Sequence, residues 1–159
     1  MIYTTEILQL SGEERSAVTL GKFDGLHRGH QKLIRCIGKK RSAGCRTVVF
    51  TFDVSPRSHI LHTPPKFLLT HEERRELAEQ MGVDILAECP FTDELMKTKP
   101  EAFVKEYLAD RLHAEYVAVG PDFRFGYHRE GTPDLLKKLG EKYGFFTEIV
   151  EKEKDGSRG

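Results

Sequence analysis

Two histidines three residues apart, in His27-Arg28-Gly29-His30, offer the most distinctive chemistry in this chain. They fall where a short apolar run, Ala17-Val18-Thr19-Leu20-Gly21, hands over to the helix-like Gln31-Lys32-Leu33-Ile34-Arg35-Cys36-Ile37. Imidazoles spaced i, i+3 at a helix start can both face one oxyanion. Gly29 between them removes a side chain and lets a bulky ligand approach the backbone. The helix N-terminus adds free N–H groups and a partial positive charge. Together these make a phosphate site. The same spacing also suits a pair of metal ligands, and lone histidines often fill plain structural roles.

Gly21, Gly25 and Gly29 recur every four residues through this strand-turn-helix unit. The spacing suits a nucleotide-binding first turn, although it is neither G-x-G-x-x-G nor a P-loop. Asp24 either caps the turn, the commoner task for such an aspartate, or positions the nucleotide or its magnesium. A second constellation is Gly120-Pro121-Asp122-Phe123-Arg124-Phe125-Gly126. An exposed aromatic pair can stack a planar ring, and Asp122 can accept hydrogen bonds from one. The alternative is that Phe123 and Phe125 anchor the loop in the core while Arg124 pairs with Asp122.

The elements that must position these groups alternate along the chain. Residues 17–21, 47–52, 83–88, 116–120 and 145–150 read as strands, β-branched or apolar and bounded by turn residues. Helices are expected over 29–42, from the capping box Thr70-His71-Glu72-Glu73 through Met81, from Pro100 to about His113, and from Thr132-Pro133 to Gly144. Strand–helix alternation predicts an α/β fold: a single domain over 1–159 with a Rossmann-like, doubly wound, five-stranded parallel sheet. Ligands of such sheets bind beyond the carboxyl ends of the strands, where strand order reverses. The loops after the first, second and fourth strands, residues 23–30, 53–69 and 121–131, are therefore the candidate site.

Bulk properties exclude several classes. With 159 residues, 38% hydrophobic and 31% charged, the chain suits an ordinary soluble domain with a proper core. A net charge of zero and a longest basic cluster of only Lys39-Lys40-Arg41 argue against nucleic acid. No apolar run approaches the roughly 18 residues of a membrane span, and no signal-peptide pattern opens the chain. The three cysteines Cys36, Cys45 and Cys89 form no close pair, which suggests reduced thiols and a cytoplasmic setting.

The residues Gly21-x-Phe23-Asp24-Gly25-x-His27-x-Gly29-His30, Val49-Phe50-Thr51-Phe52-Asp53, Leu69-Thr70, Gly82-Val83-Asp84, Phe91, Phe103-Val104 and Val119-Gly120-x-Asp122-Phe123-Arg124-Phe125-Gly126 closely resemble the adenylyltransferase module of bacterial FAD synthetases. The resemblance runs from about residue 16 to residue 150. Its first motif is shared by the wider His-x-Gly-His nucleotidyltransferases. The Asp-Phe-Arg-Phe-Gly element is more selective, and argues against acceptors such as pantetheine phosphate, nicotinamide mononucleotide or a polyol phosphate.

The resemblance implies that FMN and ATP, with magnesium, give FAD and pyrophosphate. His27 and His30 would be catalytic, binding the ATP phosphates. Gly21, Phe23, Asp24 and Gly29 would line the nucleotide pocket, and Phe52, Asp122, Phe123 and Arg124 the flavin side, with no residue assigned to a metal. The partners implied are the small molecules ATP and FMN, with neither nucleic acid nor membrane. Three departures stand out. Val54-Ser55-Pro56 replaces a Pro-His-Pro-like continuation. The family's Ile-Ser-Ser-Thr-x-x-Arg element and its C-terminal riboflavin kinase domain are not in the sequence. Two expectations follow: an FMN adenylyltransferase, complete or truncated, or a flavin or adenine-nucleotide binding module without turnover.

Overall fold

The computed structural model describes residues 1–6, 8–21, 28–53, 71–90, 93–127 and 130–151. Its centre is β2 (Arg15–Gly21), in which Ser16, Ala17, Val18, Thr19 and Leu20 are all buried. A strand covered on both faces cannot alternate polar and apolar residues, so it reads as a continuous apolar run. Around it stand β1 (Ile2–Thr4), β3 (Cys45–Asp53), β4 (Ile85–Pro90), β5 (Ala114–Val119) and β6 (Phe146–Ile149), in the order β1-β4-β3-β2-β5-β6. Every neighbouring pair is parallel.

Among the described residues the helices are α1 (Arg28–Gly38), followed by a 3-10 turn over Lys39–Ala43, then α2 (His71–Gln80), α3 (Asp93–Lys97), α4 (Pro100–Phe103) and α5 (Pro133–Tyr143). Helix α4 continues as a π-helix over Val104–Arg111. One face of the sheet (Val18, Leu20, Phe50, Val117) packs with Phe103, Leu108 and Leu136. The other face (Ala17, Val49, Leu86, Ala118) packs with Leu33, Ile37 and Ala78. Helices α1 and α2 therefore cover one face, and the α4–π segment with α5 the other. This is the doubly wound arrangement expected from the alternation. No helix among the described residues is long and apolar enough to cross a membrane.

The sheet has six strands, not five. The extra one, β1, is a three-residue edge strand paired with β4, too short to show periodicity in the sequence. The short helix α3 was likewise unanticipated. The third anticipated strand begins two residues later than expected, at Ile85. The reason is Asp84, whose Oδ2 accepts from the Thr47 N–H (3.0 Å) and the Thr47 hydroxyl (3.1 Å), while Arg41 donates to Oδ1 (3.3 Å). Asp84 thus serves as a clip between α2 and β3 rather than as a ladder residue. Asp84→Ala should lower stability by about 1–3 kcal/mol, because the Thr47 amide would lose its acceptor. A urea melt with an unchanged slope and a lower midpoint would show it.

Helix α5 follows its signals closely. Thr132 accepts from the Leu135 N–H (3.1 Å), Pro133 takes the first helical position, and Gly144 ends the helix. The expected cap Thr70 lies outside the described residues. The expected helix from Pro100 to His113 forms, but most of it winds as a π-helix, with the Leu112 N–H bonding the Tyr107 carbonyl.

Candidate active site

Strand β2 has β3 on one side and β5 on the other, so the strand order reverses across it. This is the topological switch point, and folds of this kind bind their ligands beyond the carboxyl ends of the strands there. Gly21 closes β2, and Gly120 follows β5 directly. Helix α1 starts at Arg28 and holds Gly29 and His30 in its first turn, which contains no acidic residue. Such a helix end attracts phosphate. Phe23, Asp24 and His27 lie outside the described residues, as does most of the loop anticipated over 53–69. Phe52 sits in β3, in register with Cys89 of β4.

On the α1 side of the sheet, the carboxyl ends of the strands turn polar. Gly21 is in register with Thr51, and Thr51 with Glu88. Thr51 and Glu88 are 4% and 3% exposed, so this row is buried rather than washed by solvent. Below it on β2 lies Thr19, fully buried, whose hydroxyl has no hydrogen-bond partner among the described residues. Burying hydroxyls and a carboxylate is unfavourable unless they serve a structural or ligand-facing purpose. Sequence reasoning passed over Thr19, Thr51 and Glu88. The usable signal was their shared position near strand ends, and it becomes visible only once the register is known.

The loop after β5 brings the second constellation to the same edge. The Phe123 N–H bonds the Gly120 carbonyl (3.2 Å), turning the chain tightly. Phe125 is buried at 3% exposure, so it anchors the loop in the core, one of the two uses its sequence allows. Phe123 is half-buried and stacks nearly parallel on Phe125, with centroids 5.6 Å apart. Phe125 leans in turn on Phe103 (5.5 Å), and Phe103 on Phe50 (5.8 Å). A column of four rings thus runs from the sheet to the loop. Asp122 and Arg124 are exposed, and Arg124 Nη1 donates to the Phe123 carbonyl (2.8 Å). The structure therefore brings Gly21, the start of α1 and the 120–126 loop to one end of the sheet, around β2.

The Cys89 thiol, at the carboxyl end of β4, is a poor nucleophile. All three cysteines are free. Burial, with a smaller contribution from the Glu6 charge, pushes the Cys89 thiol up to about 12. An unfolded chain would lose that proton near pH 9 and the native chain only near 12, so stability should fall as pH rises through this window. Cys89→Ala should flatten that decline in a series of melts between pH 8 and 11. Among the described residues, no group of three His, Cys, Asp or Glu side chains could hold a metal ion.

Comparison with known proteins places the chain in a family. The FAD synthetase family profile matches residues 10–158. A bifunctional riboflavin kinase/FMN adenylyltransferase from Buchnera aphidicola subsp. Schizaphis graminum is 35% identical over 134 residues, covering 82% of this chain and 42% of the relative. The bifunctional riboflavin kinase/FMN adenylyltransferase of Escherichia coli strain K12 is 34% identical over 143 residues, covering 87% of this chain and 45% of the relative. The chain therefore spans less than half the length of these curated relatives. Among solved structures, that of a macrolide-efflux protein from Streptococcus pneumoniae superposes with a TM-score of 0.79 at 27% identity, covering 99% of this chain and 52% of that one.

Proposed function

The chain belongs to the FAD synthetase family, and from that premise we propose that it transfers AMP from ATP to FMN, giving FAD and pyrophosphate. The observation that carries this reading is the meeting, at the carboxyl end of β2, of a helix N-terminus with no acidic residue in its first turn and an aromatic loop. One end suits a polyphosphate and the other a planar ring. A phosphate oxygen of FMN attacks the α-phosphorus of ATP, a new P–O bond forms, and the bond to the β-phosphate oxygen breaks. Magnesium enters with ATP as part of the substrate. The FMN phosphate is already ionised at neutral pH, so no strong general base is needed. Catalysis comes from alignment and from stabilising the charge that develops on the transferring group.

In this proposal His27 and His30 bind the ATP phosphates and stabilise that charge, while Gly29 lets them come close to the α1 backbone. Gly21, Phe23 and Asp24 line the nucleotide pocket. Phe52, Asp122, Phe123 and Arg124 form the flavin side. The three free thiols, two of them buried, support a reducing compartment, the cytoplasm. The test is an acceptor panel, with ATP labelled at the α-phosphate and offered with FMN, pantetheine phosphate, nicotinamide mononucleotide or a polyol phosphate. Label should pass to FMN alone. Transfer to another acceptor would overturn the flavin assignment, and FMN binding without transfer would leave a binding module.

A further inference from the structure

The loop that carries Phe123 and Arg124 is held by more than its own hydrogen bonds. It is fastened to a corner outside both motifs, the junction of α3 and α4. The Tyr127 N–H donates to the Thr98 carbonyl (2.8 Å). Gly126 has φ +79°, and a Cβ there would lie 2.9 Å from Pro100 Cγ and 3.0 Å from Pro100 Cδ. Two independent demands thus fall on Gly126: a left-handed backbone and direct contact with the Pro100 ring.

The corner is itself rigid. Thr98 bonds back to α3 through its N–H to the Leu95 carbonyl (3.2 Å) and its hydroxyl to the Glu94 carbonyl (2.8 Å). Pro100 is buried at the first position of α4, and the Phe103 N–H closes the first helical turn on the Lys99 carbonyl (2.9 Å). Phe103 from that same turn supports Phe125. On the far side of the loop, Phe125 and Gly131 exchange two backbone hydrogen bonds (3.1 and 2.8 Å). A Cβ on Gly131 would meet the Phe125 ring at 2.6 Å.

We infer that Pro100 is a positioning residue for the flavin side of the site: with the Thr98 carbonyl it seats Gly126 and Tyr127, and so fixes where Phe123 and Arg124 stand. The inference rests on the functional reading above and adds to it a residue that touches no substrate. An error of about 1 Å in placing a binding group is enough to cost a large factor in rate or affinity. The corner lies on the α4 side of the loop, whereas the start of α1 lies on the opposite face of the sheet. Its effect should therefore fall on FMN and spare ATP.

The experiment is flavin-fluorescence titration of FMN and separate titration of ATP, with steady-state kinetics, on the full chain and on Pro100→Ala, Gly126→Ala and the double variant. Alanine is tolerated at a first helical position, so Pro100→Ala keeps the fold, and a melt checks this. Pro100→Ala should weaken FMN binding and raise the FMN KM about fivefold, with the ATP KM and kcat within about twofold. Gly126→Ala should be worse, and adding Pro100→Ala should restore part of its loss by making room for the new methyl group. An unchanged FMN affinity in Pro100→Ala, or equal losses for FMN and ATP, would overturn the positioning role while leaving the functional reading intact. A wild-type chain that binds no FMN would overturn both.

Discussion

His30→Ala should lower the rate of FAD formation by roughly 10²–10³-fold, the loss typical of removing one preorganised group that stabilises developing charge. His30 stands in the first turn of α1, next to Gly29, at the carboxyl end of the central strand. The helix end would still attract polyphosphate through its N–H groups, so ATP binding should fall far less than turnover. His27→Ala should behave alike. The double variant should lose much less than the product of the single losses, because groups serving one charge act as a unit. Single-turnover rates at saturating ATP and FMN, with flavin fluorescence to confirm that FMN still binds, separate chemistry from binding. Retention of turnover within twofold in either variant would remove the histidines from the mechanism.

The second large effect is on stability. Phe103→Ala should cost about 3–5 kcal/mol, the range for truncating a buried phenylalanine. Phe103 is 1% exposed and touches Phe50, Tyr107 and Phe125 at centroid distances of 5.8, 5.2 and 5.5 Å. It joins the sheet to the ring column that ends in Phe123, so its loss opens a cavity between the two. A urea denaturation midpoint reads the stability loss. In the fraction that stays folded, FMN affinity should fall more than ATP affinity, since Phe125 would lose its support. A variant as stable as the parent would mean that the ring column is not part of the core.

Much of this architecture was legible in the residues themselves. Continuous β-branched and apolar runs such as Thr47-Val48-Val49-Phe50 mark strands buried on both faces, and β3 forms there. The Thr132-Pro133 start and Gly144 stop bracket α5 because a cap, a fixed φ and a terminator act locally. Long-range features were not legible. Strand β1 owes its existence to pairing with β4, not to its own three residues. The π-helix escaped notice because Val104, Leu108 and Leu112 recur every four residues, a pattern that an ordinary α-helix also satisfies over so short a span.

The site divides in the same way. The start of α1 and the aromatic loop announced themselves as motifs, each continuous in sequence. The row Gly21, Thr51, Glu88 did not, because three residues on three strands align only through the register. Nor did the seating of Gly126 on Pro100, which joins segments 26 positions apart that share no motif. For Asp122, Phe123, Arg124 and Phe125, sequence reasoning left two uses open. The structure puts Phe125 in the core and leaves Asp122 and Arg124 exposed.

In the proposed reaction this chain joins AMP to FMN at the carboxyl end of β2. The most direct measurement incubates the purified 159-residue chain with FMN, ATP and magnesium, and follows FAD by chromatography and pyrophosphate by a coupled assay. The account predicts FAD and pyrophosphate in equal amounts, dependent on both substrates and abolished in the His27→Ala/His30→Ala double variant. Pyrophosphate release that does not depend on FMN, or FAD formation that survives loss of both histidines, would contradict it.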